Sequence, residues 1–172
     1  DFADVATPAA PQGAWHHYAA VRQGTRFTVY VDGVETWTAE RSGKLALEAG
    51  RALCLGRQVN KTDRQFKGRL DDVAVYARGL DAAEIARLSR NLTPRAVARG
   101  ARVDALAQVP APVLHYAFER AEEPGFDSAP GAHHLVKDGE GTFTLVDSPL
   151  GGKALQFDAY KQACLKSAVF PD

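Results

Sequence analysis

The residues of this 172-residue chain best equipped for chemistry are an acidic pair, two histidine pairs and two cysteines. Asp71-Asp72 lies inside a strand-like run from Leu70 to Tyr76, where Val73 and Val75 alternate with Asp72, Ala74 and Tyr76. A carboxylate buried without a partner is costly. Asp71 or Asp72 must therefore face water or have a cation. His16-His17 could suggest a metal site or a base, but neighbours on a strand point to opposite faces and cannot chelate together. His133-His134 lies in a loop and meets the same objection. Both pairs are expected to be structural. Cys54 (in ALCLG) and Cys164 (in QACLKS) are expected as small buried hydrophobes. A disulfide between them needs their strands side by side, which sequence alone does not place. No CxxC, GxSxG, GxGxxG or GxxxxGK[ST] pattern occurs. Asn60-Lys61-Thr62 and Asn91-Leu92-Thr93 fit the glycan-acceptor pattern and are expected to be chance matches.

Bulk properties narrow the partners. Basic and acidic residues balance at 21 each, which argues against nucleic acid or an anionic membrane as the main partner. No apolar run approaches the length of a membrane span. Asp1 already opens within folded-looking sequence, so a mature or excised segment is expected.

The elements that must position these residues are mostly short strands. Ala14 to Arg22 reads as a strand opening on Trp15. Thr25 to Val31 alternates, and Asp32-Gly33 then signals a type I′ hairpin, which needs positive φ at both central residues. Val34 to Ala39 returns with Trp37. Leu45 and Leu47 mark a short strand or edge, and Ala52 to Gly56 is a further strand. Gly79 turns the chain after the 70–76 run, and Asp81 opens a short helix with Glu84 completing a capping box. Leu80, Ile85 and Leu88 fall at helical spacing and should pin that helix to an apolar surface. Residues 93–112, with Arg95, Arg99 and Arg102 among alanines and a Val109-Pro110-Ala111-Pro112 stop, read as a linker with a solvated basic face. Strand character returns from Val113 to Phe118, at Thr142 to Val146, and in GGKALQFD and ACLKS. Many short strands with turn signals between them predict an antiparallel sandwich.

Several of these pieces resemble one family. The run GRLDDVAVYARGLDAAEIARL looks like the closing strand and final helix of a laminin-G-like jelly roll, of the concanavalin A-like lectin/glucanase type. Upstream, WHHYAAV, FTVYVDG and LCLG follow the order of that family's motifs. Downstream, Leu114-His115-Tyr116-Ala117-Phe118, FDSAPG and GGKALQFD resemble the opening of such a domain, with Ala159 standing where the family usually has Gly. The order is reversed: residues 1–92 resemble the second half of a jelly roll and residues 113–172 the first half. The chain is therefore expected to span the junction of two tandem domains, or to be a permuted single sandwich. A half sandwich would leave its apolar face in water, at roughly 25 cal/mol per Å². The halves should therefore pack on each other or be completed by other chain segments.

The resemblance implies an all-β jelly-roll sandwich and a structural calcium. The matching ligand is Asp71, and Asp127 and Asp158 are motif aspartates that could add ligands or simply make turns. It further implies a non-catalytic carbohydrate-binding module, secreted or cell-surface, appended to a larger enzyme or adhesin, with a glycan or polysaccharide as partner. The alternatives are a protein-adhesion or spacer domain, or a fragment of a glycoside hydrolase. The ExDxxE strand of related glucanases is absent, and it would fall in the missing strands. Trp37, Tyr30, Tyr76, Tyr160 and Phe126 are the aromatics available to stack on sugar, with Trp15 and Trp37 expected in the core.

Overall fold

The computed structural model describes residues 11–40, 52–57, 65–91, 109–158 and 163–167. Leu45, Leu47, the Asn60 acceptor site, most of the 93–112 stretch, Ala159 and Tyr160 lie outside the described residues. Among the described residues the architecture is all-β with one short helix, and the chain divides into two units. Each has its own core.

The first unit comprises residues 1–44 and 76–111. Strands β1 (Tyr18–Gln23), β2 (Arg26–Val31) and β3 (Val34–Glu40) form an antiparallel meander in chain order. The Asp32-Gly33 turn is a two-residue connection with φ of 52° and 80°, as a type I′ hairpin requires. The β1 strand starts at Tyr18, so Trp15, His16 and His17 precede it. Asp32 explains that late start: its Oδ1 accepts the His17 amide at 2.9 Å and its Oδ2 faces His16 Nδ1 at 2.7 Å. Helix α1 (Ala82–Asn91) follows. Its capping box is formed in both directions, Glu84 N to Asp81 Oδ1 at 2.8 Å and Asp81 N to Glu84 Oε2 at 2.9 Å. Leu80, Ile85 and Leu88 are buried with Val21, Tyr30 and Val109 as this unit's core. Helix and hairpin touch closely at Gly33, where a Cβ would lie 3.1 Å from Ala86 Cα. Gly33 thus serves the turn and the packing at once. Trp15 and Trp37 are half-buried rather than central; Trp37 meets Phe27 edge-on at 6.0 Å.

The second unit comprises residues 45–75 and 112–172. Its early strands are β4 (Cys54–Leu55), β5 (Lys67–Leu70) and β6 (Val73–Val75). They pair with later ones: β7 (Leu114–Tyr116), β8 (Leu135–Asp138), β9 (Phe143–Asp147), β10 (Lys153–Asp158) and β11 (Cys164–Ser167). The strand orders are β5-β10-β9, β4-β11-β8 and β6-β7, all antiparallel. Strands on either side of the 93–112 stretch therefore pair with each other. The core gathers Tyr116, Phe118, Leu155, Phe157 and Leu165, each at most 2% exposed. Phe157 fills the space above Gly56, where a Cβ would clash with its ring. Tyr116 donates its hydroxyl to the His133 carbonyl at 2.8 Å, and burial pushes its pKa up to about 12.

One sequence expectation is corrected here. The run from Leu70 to Tyr76 is two strands with a corner between them. Asp72 takes φ 50°, and its amide donates to the Asp71 carboxylate at 2.8 Å. Asp tolerates this left-handed conformation better than most residues. His133-His134 lies in a loop, as expected, just before Leu135–Asp138 forms β8 against β11.

Candidate functional site

In the first unit, β1 and β2 present Val21, Gln23, Arg26, Thr28 and Tyr30 on one face. Val21 stands opposite Thr28 and Gln23 opposite Arg26, and residues two apart share a face. The apolar end of this face is covered by Leu80, Ile85 and Leu88. The other end stays open as a cavity of about 250 Å³, with Leu80, Asp81 and Ala82 forming the opposite wall. Its lining residues are chemically mixed, with the Gln23 amide, the Arg26 guanidinium and the Asp81 carboxylate, while Thr28 is buried and shares its hydroxyl with Thr38 at 3.4 Å. Arg26 is balanced by Glu35 at 3.4 Å, and Asp81 already bonds the Glu84 amide. Beside the groove, the Arg78 guanidinium and the Asp81 amide hold the Glu84 carboxyl down to about 2. The site carries donors and acceptors in near balance over an apolar floor of Val21, Tyr30 and Leu80. Such a set suits a neutral ligand rich in hydroxyl groups better than an ion.

The three aspartates singled out from the sequence are all in the second unit, in three different settings. Asp71 sits at the corner after β5 and accepts the Ser148 hydroxyl as well as the Asp72 amide. Asp158 is exposed at the opposite end of the β5–β10 ladder, opposite Lys67. Three residue steps, roughly 10 Å, separate the Leu70 and Lys67 ends, so Asp71 and Asp158 do not meet. Asp127 is 1% exposed, and its carboxylate accepts three backbone amides: His115 at 2.8 Å, Ala129 at 2.9 Å and His133 at 2.9 Å. Those bonds bind the 127–133 turn to β7. Among the described residues no three His, Cys, Asp or Glu side chains gather as a metal site.

An Asp72–His115–Ser128 chain runs through the same region. His115 Nε2 lies 3.2 Å from Asp72 Oδ1, and Nδ1 lies 2.8 Å from Ser128 Oγ. The composition resembles a nucleophile triad, but the hydroxyl also bonds the His115 carbonyl at 3.2 Å and the Ser128 amide bonds it at 2.9 Å. Ser128 clamps a turn to a strand by three contacts to one residue. We read this chain as structural.

The histidine pairs are structural too. His16 faces Asp32 on one ring nitrogen and the Pro11 carbonyl at 3.1 Å on the other. Only a protonated ring can donate to both, and the Asp32 bond raises its pKa. His17 Nδ1 is buried without a hydrogen-bond partner, and burial lowers that pKa. His134 Nδ1 accepts the Asp127 amide at 3.0 Å and its ring stacks on Phe126 at 4.7 Å. Arg120 covers Phe126 at 3.4 Å. That ring is therefore already occupied.

Residues 1–86, half of the chain, match a laminin G family model described as the concanavalin A-like lectin/glucanases superfamily. The chain belongs to this superfamily. The matched concanavalin A-like region contains β1 to β6 and the helix start, hence every residue of the groove. Among solved structures, an S-layer domain-containing protein of Clostridium thermocellum is similar at 25% identity, over 47% of this chain and 42% of that one, with a TM-score of 0.39. The chain thus spans less than half the length of that structure's chain. No curated protein matches it. No described helix is long and apolar enough to cross a membrane.

Sequence reasoning did not single out the groove. It read Asp81 only as a helix cap and left Gln23 and Arg26 unmentioned. The available signal was their position: they flank the two-residue Gly24-Thr25 turn and face the same way as Thr28 and Tyr30.

Proposed function

We propose that this concanavalin A-like chain is a non-catalytic carbohydrate-binding module of a secreted or surface protein, with jelly-roll strand order. Its sugar site is the groove beside the start of α1. The observation that carries this reading is the groove's balance of an amide, a guanidinium and a carboxylate beside Tyr30, Val21 and Leu80. Sugar hydroxyls donate and accept at once, and the C–H face of a pyranose needs an apolar floor. At about 250 Å³ the groove lies just under the usual range of small-molecule clefts, roughly 300–1,000 Å³. It therefore fits a terminal sugar or a short oligosaccharide end rather than a long buried chain.

A structural calcium stays within this proposal at Asp71, the half-buried carboxylate at the corner of the second unit. There it would add to the oxygen ligands calcium prefers. Asp158 would need a separate ion, while the Asp127 oxygens are engaged by backbone amides. Melting with and without chelator tests this. An unchanged transition, with no metal by elemental analysis, removes the ion.

The sugar site is tested on a glycan array, followed by calorimetry with the best ligand. Arg26→Ala and Gln23→Ala should each weaken binding about tenfold, as for loss of one good hydrogen-bonding group. Asp81→Asn should weaken it while keeping the helix cap, because Asn caps as well as Asp. Binding that ignores all three substitutions, or no binding to any glycan, overturns the proposal.

A further inference from the structure

Cys54 and Cys164 lie on neighbouring strands. β4 pairs antiparallel with β11, placing Lys166 opposite Cys54 and Leu165 opposite Leu55. Cys164 is two residues from Lys166, so it shares that face with Cys54, one diagonal step away. Diagonal neighbours across an antiparallel pair have Cα atoms roughly 7–8 Å apart, just beyond the usual disulfide span, so the two strands must close slightly for the sulfurs to join. The pairing is anchored just beside them by a reciprocal contact: the Leu53 amide donates to Ser167 Oγ at 2.9 Å and the Ser167 amide to the Leu53 carbonyl at 3.0 Å.

The two thiols sit in unlike surroundings. Cys164 is fully buried and Cys54 half-buried, so Cys54 is the less buried of the two. Cys164 Sγ lies 3.8 Å from Asp138 Oδ2, which is held by the Arg57 guanidinium at 2.6 Å. Burial and then the Cys54 thiol push the Cys164 pKa up to about 12, while Arg57 acts the other way. Each sulfur is thus within the other's electrostatic reach, with a cation at hand for a developing thiolate.

We propose that Cys54 and Cys164 are a covalent modification site, closing as a cross-strand disulfide between β4 and β11 when the protein meets a thiol oxidant of the glutathione disulfide class. The Cys54 thiolate attacks one sulfur of the oxidant, breaking its S–S bond and releasing one glutathione thiolate. Cys164 then attacks the Cys54 sulfur of the mixed disulfide, forming the Cys54–Cys164 bond and releasing the second glutathione. Two electrons and two protons pass from the cysteine pair to the oxidant. The closed loop spans roughly 110 residues, and a loop of that length loses much of its unfolded-state entropy when cross-linked. This site does not depend on the sugar groove.

Native protein equilibrated in a glutathione redox buffer provides the test, read by free-thiol count, non-reducing peptide map and melting temperature. Oxidation should remove both thiols together, link the Cys54 and Cys164 peptides within one chain, and raise the midpoint by roughly 5–10 °C, reversed by dithiothreitol. Cys54→Ser, at the less buried position, should abolish both the link and the thermal response. The proposal is overturned by two free thiols persisting under oxidising conditions, by a stable glutathione adduct on Cys54, by intermolecular cross-links, or by a link that lowers the midpoint.

Discussion

The two units are built by opposite routes. In the first, each strand of the meander pairs with the next in sequence, through turns of two residues, Gly24-Thr25 and Asp32-Gly33. In the second, every sheet joins a strand before residue 76 to one after residue 113. Local pairing closes short loops, whereas distant pairing needs large loops to close before contacts reward them. The first unit should therefore depend on turn and cap chemistry, and the second on side chains that hold remote strands together.

The largest expected effect lies in the second unit. Phe157→Ala empties the space between Gly56, Phe66 and Phe143 and should cost about 3–5 kcal/mol in denaturant unfolding. A cost under 1 kcal/mol would mean that these distant strands are not held by that ring. Asp127→Ala comes next. It strands three backbone amides against a buried turn, and roughly 2–4 kcal/mol should be lost, with hydrogen exchange accelerated at His115, Ala129 and His133. In the first unit, Gly33→Ala combines a positive φ with a 3.1 Å approach to the helix and should cost about 1–2 kcal/mol. If this exceeds the Asp127 effect, the contrast between local and remote construction is reversed.

The smallest effect is a titration. Asp32 raises the His16 pKa above 6.5, so that stabilisation is fully present below pH 6.5 and is lost as pH rises through the folded value. Burial lowers the His17 pKa below 6.5, so its contribution is present above 6.5 and is lost as pH falls through its folded value. NMR titration should find His17 deprotonating at lower pH than His16. Asp32→Asn should bring His16 back toward its ordinary value.

What sequence could anticipate follows the same division. The Asp32-Gly33 turn, the Asp81/Glu84 box and the Leu80, Ile85, Leu88 stripe were all legible, because each is fixed by residues close together in the sequence. The all-β class was legible from alternation. Strand partners in the second unit were not, since nothing in KALQFD names Leu70 or Leu145 as the neighbours of Leu155. The corner at Asp72 hid inside apparent alternation, because a single residue with positive φ leaves the pattern of residue types unchanged. Of the candidate site, Asp81 was visible only in its capping role. The groove needed the β1–β2 register and the helix position together.

The Asp71-Asp72 corner has an implication for protein engineers. Leu70 is registered against Leu155 and Val73 against Tyr116, with only the two aspartates between. One residue inserted there would invert the inward and outward positions of whichever neighbouring strand absorbed it. Peptide grafts and fluorescent tags belong elsewhere on this scaffold, and a library of length variants should find that two-residue spacer the least forgiving of change.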